Sequence, residues 1–168
     1  IIFSILFIVF CNTTVLANLP HYLDFKYILN ESDAGKKAQT FLKKKLENGF
    51  KSIKDKENKI LEEEKKLFNQ KKMIYSDEKK KKDSELRKKV SEIQKERENL
   101  IQDVAKKKAE ARAILLKNLN PILKNYMQEK NVRVVIDKKS ILLADETLDL
   151  TKTIMGELNK KLKNIKLD

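Results

Sequence analysis

Apolar residues between positions 34 and 75 recur every seven residues at Leu46, Ile53, Ile60, Leu67 and Ile74, with Leu61, Phe68 and Tyr75 in a second row beside them. That period is the one a helix shows when it packs along a partner helix. The stretch contains no Pro, and Asn30-Glu31-Ser32-Asp33 before it offers N-cap chemistry, so the pattern predicts one long helix from Ala34 to about Tyr75. The intermediate positions Glu57, Glu64 and Lys71 are charged, which leaves the seam thin and the helix dependent on its partner.

Ser76-Asp77-Glu78 interrupts the pattern with a favoured N-cap and two acids suited to a helix N-terminus, so the chain is expected to turn back there. The second helix places Leu86, Val90, Ile93, Arg97, Leu100, Val104, Ala111 and Leu115 at steps of three and four, with one double step over Lys106-Lys107-Lys108. Helices of about 40 and 50 residues would project on the order of 60 to 75 Å. Pro121 removes a backbone donor late in the second helix and is expected to bend it, marking the join of arm and body.

The flanks read differently. Leu19-Pro20-His21-Tyr22-Leu23-Asp24-Phe25 predicts a short strand. Asn131 suits the left-handed residue that ends a helix. Val132–Ile136 alternates in the strand manner, with Asp137-Lys138-Lys139 as a turn before Ser140–Ala144, so a β-hairpin is expected. Thr151 is expected to cap a last helix with Ile154, Leu158, Leu162 and Ile165 on one face and Leu150 and Met155 placed for a hydrophobic staple. Three short strands and a short helix bury too little to hold such long arms alone, so the body is expected to self-associate.

Composition agrees with solvated helices rather than a turn-rich core: 38% charged residues, 7% aromatic, three Gly, two Pro and no Trp in 168 residues. The net charge of +13 attracts anionic surfaces, whether nucleic acid, acidic lipid headgroups or acidic polypeptides. Residues 1–17 read as the apolar part of a signal peptide ending at Val15-Leu16-Ala17, with an uncleaved anchor as the second reading. Cleavage there would remove Cys11, the only cysteine, and leave a chain from Asn18 suited to an oxidising envelope compartment.

Catalytic schemes lack their parts: one His (His21), no thiol after cleavage and no Gly-rich phosphate loop, so no enzyme activity, metal or cofactor is expected. Asp145, Glu146 and Asp149 are read as cap acids rather than cation ligands. Residues 71–89 hold nine Lys or Arg against four acids, a local charge of +5. That tip is either a solvated face that keeps the arms soluble or a site of electrostatic capture. For capture the candidates are Lys72, Met73, Ile74, Tyr75, Lys79, Lys80, Lys81, Lys82 and Arg87.

Two segments resemble a known family. Leu23–Lys36 is similar to the strand and Ser-x-x-Gly-Lys opening of the Skp/OmpH chaperones, and Val134–Asp137, Ile141–Asp145 and Leu148–Thr151 resemble that family's closing hairpin and its entry to the last helix. The resemblance implies a mostly α fold with a small β body (α+β): a long antiparallel coiled-coil hairpin on a trimerisation body, as a homotrimer. It divides the chain into a signal peptide at 1–17, the first strand and start of the body at 18–33, the arm at 34–120 with its tip near 74–79, and the rest of the body at 121–168. Body residues expected to serve trimerisation are Leu23, Phe25, Val132, Val134, Ile136, Ile141, Leu143, Leu148, Leu150, Ile154 and Leu158. The implied function is an ATP-independent periplasmic holdase. It would grip unfolded outer-membrane β-barrel proteins between three arms, with an anionic membrane or lipopolysaccharide surface as a further partner. A structural envelope scaffold and a basic nucleic-acid-binding coiled coil are the alternatives, and no nucleic acid is expected as partner.

Overall fold

The computed structural model describes residues 19–69 and 76–167. The expected leader with Cys11, and Lys71, Lys72, Met73, Ile74 and Tyr75 of the tip, lie outside the described residues.

The chain runs β1 (His21–Leu23), α1 (Phe25–Glu31), α2 (Asp33–Asn69), α3 (Ser76–Glu129), β2 (Val135–Asp137) and α4 (Thr151–Lys161), with single 3-10 turns at Lys138–Ser140 and Glu146–Leu148 between β2 and α4. At 1.5 Å per residue, the 37 residues of α2 and 54 of α3 extend about 55 and 80 Å.

The first strand is shorter than its sequence implied, because Asp24 ends it. The Asp24 carboxylate accepts the Tyr27 N–H at 2.7 Å, capping a helix where Phe25 was expected to continue the strand. Phe25, Ile28 and Leu29 then share the helix face that meets the core, with Ile28 fully buried. Ser32 separates α1 from α2: its backbone is extended (φ −60°, ψ 153°), and its Oγ accepts the Gly35 N–H at 3.2 Å. Gly35 has to be glycine, since a Cβ there would lie 2.2 Å from the Leu29 carbonyl oxygen.

The helices α2 and α3 run antiparallel, as shown by ion pairs in which one residue number rises while the other falls: Lys45–Asp103, Lys56–Glu96 and Glu63–Lys89. One apolar row of each helix meets as the heptads predict, whereas Leu61 and Phe68 of the expected second row of α2 and the expected seam position Val90 of α3 fall outside the buried contact. Ile53, Ile60, Leu67, Leu86 and Ile93 form one buried cluster along the arm, with Leu100 half-buried against it. Leu61, Phe68 and Val90 remain exposed. Nearer the body, Ala38, Leu42, Ala111, Leu115 and Leu119 join a second cluster with Leu23, Ile28, Leu150, Ile154 and Leu158. Pro121 lies inside α3, which continues to Glu129. Asn131 takes the left-handed backbone (φ 54°), and the Val132 N–H closes onto the Met127 carbonyl at 2.9 Å, a helix ending of the expected kind.

The expected hairpin between Val132–Ile136 and Ser140–Ala144 does not form. Instead β2 pairs in parallel with β1, His21 against Val135, Tyr22 against Ile136 and Leu23 against Asp137. The Asp137 carboxylate accepts the Lys139 N–H at 3.2 Å and turns the chain into a 3-10 turn, away from an antiparallel return. Only two strands are present among the described residues, rather than three. Tyr22 also bridges Asp149, and its carbonyl accepts the Leu150 N–H at 2.8 Å.

The last helix buries Ile154 and Leu158, with Met155 packed against them, but ends at Lys161, short of the expected Leu162 and Ile165; the chain after it still brings Leu162 and the buried Ile165 against the same cluster. The cap of the helix differs from expectation. The Asp149 carboxylate accepts the Thr151 N–H at 2.8 Å, while the Thr151 hydroxyl accepts the Asp24 N–H at 2.8 Å and ties the two ends of the chain together.

Candidate functional site

The body residues expected at a subunit interface fall into two groups. Leu23, Val132, Leu150, Ile154 and Leu158 are buried within this chain's own body, so they hold the fold. Phe25, Ile141 and Leu148 are half-buried. Val134, Ile136 and Leu143 are exposed, and Leu142 beside them, which the expected interface set did not include, is fully exposed. Four large apolar side chains on one short stretch are therefore free of the chain's own core.

That stretch borders a cavity of about 590 Å³ lined by Tyr22, Tyr27, Lys138, Ile141, Leu142 and Asp149 among others. Lys138 Nζ lies 3.1 Å from Asp149 Oδ2 and 5.7 Å from the centre of the Tyr22 ring. Burial pushes the Asp149 carboxyl up, but hydrogen bonding from Thr151 and the Lys138 ammonium outweigh it and hold the group below its ordinary value. Asp149 in turn raises Lys138. Asp145 is lowered by hydrogen bonds from the Thr147 N–H and hydroxyl, at 2.8 and 2.7 Å. Both carboxylates act as caps, and among the described residues no three His, Cys, Asp or Glu side chains group as a metal site. His21 Nδ1 lies 3.0 Å from the Leu19 carbonyl.

At the far end of the arm, Lys79, Lys80, Lys81 and Lys82 occupy the first turns of α3, where Asp77 and Glu78 favour the helix N-terminus. Lys82 pairs with Glu78 at 3.2 Å, and Lys80, Lys81 and Arg87 are exposed. Lys79 and Arg87 line a groove of about 440 Å³ together with Glu64, Phe68, Asp83 and Val90.

Between tip and body, α2 and α3 are joined by ion pairs at 2.5 to 2.7 Å: Lys45–Asp103, Lys56–Glu96, Glu57–Arg97 and Glu63–Lys89. A hydrogen bond from Lys45 draws the Asp103 carboxyl below its usual range. Sequence patterning placed Glu57 as a charged position that thins the first seam and Arg97 as a member of the second. Their pairing follows only from the register between helices. Among the described residues no helix is long and apolar enough to cross a membrane.

These features define a class: an α+β protein whose paired-helix arm stands on a small body with two parallel strands. The family model of OmpH-like outer membrane proteins matches residues 21–158, and the chain belongs to that family. A crystal structure of an OmpH-like protein from Caulobacter crescentus CB15, described as a candidate outer membrane chaperone, has the same fold. It superposes with a TM-score of 0.83 at 20% identity, over 89% of this chain and 90% of that one. No curated protein matches the sequence.

Proposed function

We propose that the chain is an ATP-independent holdase of the periplasm, reached through the leader at 1–17, that binds unfolded outer-membrane β-barrel proteins and keeps them from aggregating. Membership of the OmpH-like family supports this, as does the likeness to a candidate outer membrane chaperone. The observation that carries it is the arm: two long helices share only a narrow buried row, Ile53, Ile60 and Leu67 against Leu86 and Ile93, broken by the Glu57–Arg97 pair. Such an arm bends at small cost and presents long surfaces for many weak contacts, which is what a holder without a nucleotide cycle requires.

The working unit is a homotrimer joined through the body, where Val134, Ile136, Leu142 and Leu143 supply unburied apolar surface. The basic tips, Lys79–Lys82 and Arg87 with Lys72, capture acidic clients or anionic headgroups such as lipopolysaccharide, an attraction that salt weakens.

The test is light scattering from a urea-unfolded outer-membrane β-barrel protein diluted into buffer with the chain from Asn18 to Asp168, at low and high salt, with the mass of the complex. Suppressed aggregation with three copies per client supports the reading. A folded trimer that suppresses nothing replaces it with an envelope scaffold.

A further inference from the structure

The arm is thinnest between its two buried clusters. The root cluster takes its last residue of α2 at Leu42 and the distal cluster its first at Ile53. Residues 43–52 between them are the longest run of that helix without a buried side chain. Across the arm α3 buries nothing between Ile93 and Ala111, which leaves Leu46, Leu100 and Val104 half-buried in the gap beside the Lys45–Asp103 ion pair. A helix turn held by so few apolar contacts is the one that opens first.

Gly49 stands within this run, inside α2. It makes room for Leu100, whose methyl groups occupy the space that a Cβ at 49 would take. A glycine inside a helix also lets that turn open about fivefold more readily than an alanine would. The residue before it is Asn48, which is exposed, and Asn48-Gly49 is the only Asn-Gly step in the chain. Three and four positions away on the helix surface lie Lys44, Lys45, Lys51 and Ser52, with no acid among them. In an Asn-Gly step no side chain shields the glycine nitrogen. While the turn is helical, the Gly49 N–H is directed along the axis at the Lys45 carbonyl and the nitrogen cannot attack the Asn48 side chain. Once the turn opens, it can.

We propose that Asn48 is a site of spontaneous covalent modification, reached whenever this turn of α2 opens. The Gly49 nitrogen gives up its proton and attacks the carbonyl carbon of the Asn48 side chain; a C–N bond forms, and the side-chain nitrogen takes up the proton and leaves as ammonia. Lys44, Lys45 and Lys51 favour the negative charge that develops in this step. Water then opens the five-membered imide. Hydrolysis at the former side-chain carbonyl gives aspartate, and hydrolysis at the main-chain carbonyl gives isoaspartate. Water is the co-reactant and nothing is oxidised or reduced. Aspartate sets one carboxylate among the lysines and keeps the backbone as it was. Isoaspartate routes the chain through the side-chain carbons, adds an atom to the backbone and breaks the i to i−4 hydrogen-bond ladder between the two clusters. The distal arm is then no longer carried rigidly by the root. None of this depends on the proposed holdase function.

The test holds the assembled chain from Asn18 to Asp168 at neutral pH and follows Asn48, Asn58 and Asn69, all exposed on α2, by peptide mass mapping. Conversion at 48 is expected at no less than about one hundredth of its rate in the urea-unfolded chain, as a local opening gives, with both products present and Asn58 and Asn69 unchanged. Gly49→Ala is expected to slow it by more than the roughly fivefold that helix preference alone gives, since the methyl group also shields the nitrogen. Because that methyl group meets Leu100, Glu57→Leu with Arg97→Leu serves as a second variant, which stiffens the arm without touching the reacting residues and should slow conversion about fivefold. Amide hydrogen exchange over 43–52 is expected to quicken in the isoaspartate fraction and to stay parental in Asn48→Asp. A rate at 48 that follows global unfolding overturns the proposal, as does equal conversion at all three asparagines. An unchanged rate in both variants, or parental exchange in the isoaspartate fraction, overturns it too.

Discussion

Arg97 Nη2 donates to Glu57 Oε1 at 2.5 Å across the arm, between the layer of Ile53 and Leu100 on one side and that of Ile60 and Ile93 on the other. Arg97 Nε is buried there without a hydrogen-bond partner. An ion pair in a row of apolar positions fixes register at a cost in stability, since both charges lose water and one donor stays unmatched.

Replacing the pair by Glu57→Leu with Arg97→Leu is therefore expected to stiffen the arm. With both side chains more than a third exposed, the gain lies at the low end for such swaps, about 1 kcal/mol. Arg97→Leu alone leaves Glu57 without its partner and gives less. Amide hydrogen exchange across 50–64 and 90–100, with thermal midpoints at one chain concentration, checks this. Adding Glu64→Leu and Lys71→Leu extends the apolar seam, and the stiffened arm is expected to hold a narrower size range of clients. Equal capacity for small and large clients would remove arm flexibility from the mechanism.

A second expectation concerns the junction of α1 and α2. Gly35→Ala forces a methyl group against the Leu29 carbonyl, a backbone atom that moves only with its helix. The cost is about 2 kcal/mol. Ser32→Ala removes the Oγ that caps α2 and costs about 1 kcal/mol. Urea midpoints of the two variants at fixed chain concentration should fall in that order, and a Gly35→Ala protein as stable as the parent would contradict the close approach.

How far the fold was legible depends on the range of each contact. The seams over Ile53, Ile60, Leu67, Leu86 and Ile93 were readable because a heptad is local and repeats. So was Asn131, whose short polar side chain tolerates a positive φ. The pairing of His21–Leu23 with Val135–Asp137 was not, since it joins segments more than a hundred residues apart and the alternation of Val132–Ile136 is equally good for a local hairpin. Asp24 was readable in principle: a capping acid three residues before the donor it accepts, followed by apolar residues at 25, 28 and 29, is a helix start. The strand propensity of its neighbours masked it. Of the candidate site, the basic run was plain, whereas the ion pairs across the arm emerge only when the helices are set in register.

Acid should loosen the body. The Asp149 carboxyl is held below its ordinary value in the folded chain, so the unfolded chain takes up the proton first as pH falls. Its stabilisation is complete above the unfolded pKa of about 4 and is lost as pH drops through the folded value. Asp149→Asn keeps an acceptor for Thr151 but loses the charge facing Lys138. Urea midpoints at pH 7, 5, 4 and 3 should fall less steeply towards acid in that variant than in the parent.

The segment after β2 gives the sharpest test of assembly. Leu142 and Leu143 are 107 and 93% exposed and contribute nothing to the chain's own core. The chain that carries them makes no return strand, because Asp137 turns it aside. Water contact on two leucines is costly, on the order of 2 kcal/mol each if a partner buries them fully. Leu142→Ser with Leu143→Ser should thus leave the fold of one chain intact and weaken self-association by more than tenfold. Ile154→Ser, by contrast, opens the buried body and lowers stability at every concentration. Sedimentation across a dilution series separates the two: the leucine variant should dissociate to single chains at concentrations where the parent stays assembled, with parental helicity in its body. A parental mass at every dilution would place the subunit interface elsewhere, on Val134 and Ile136 along the edge of β2.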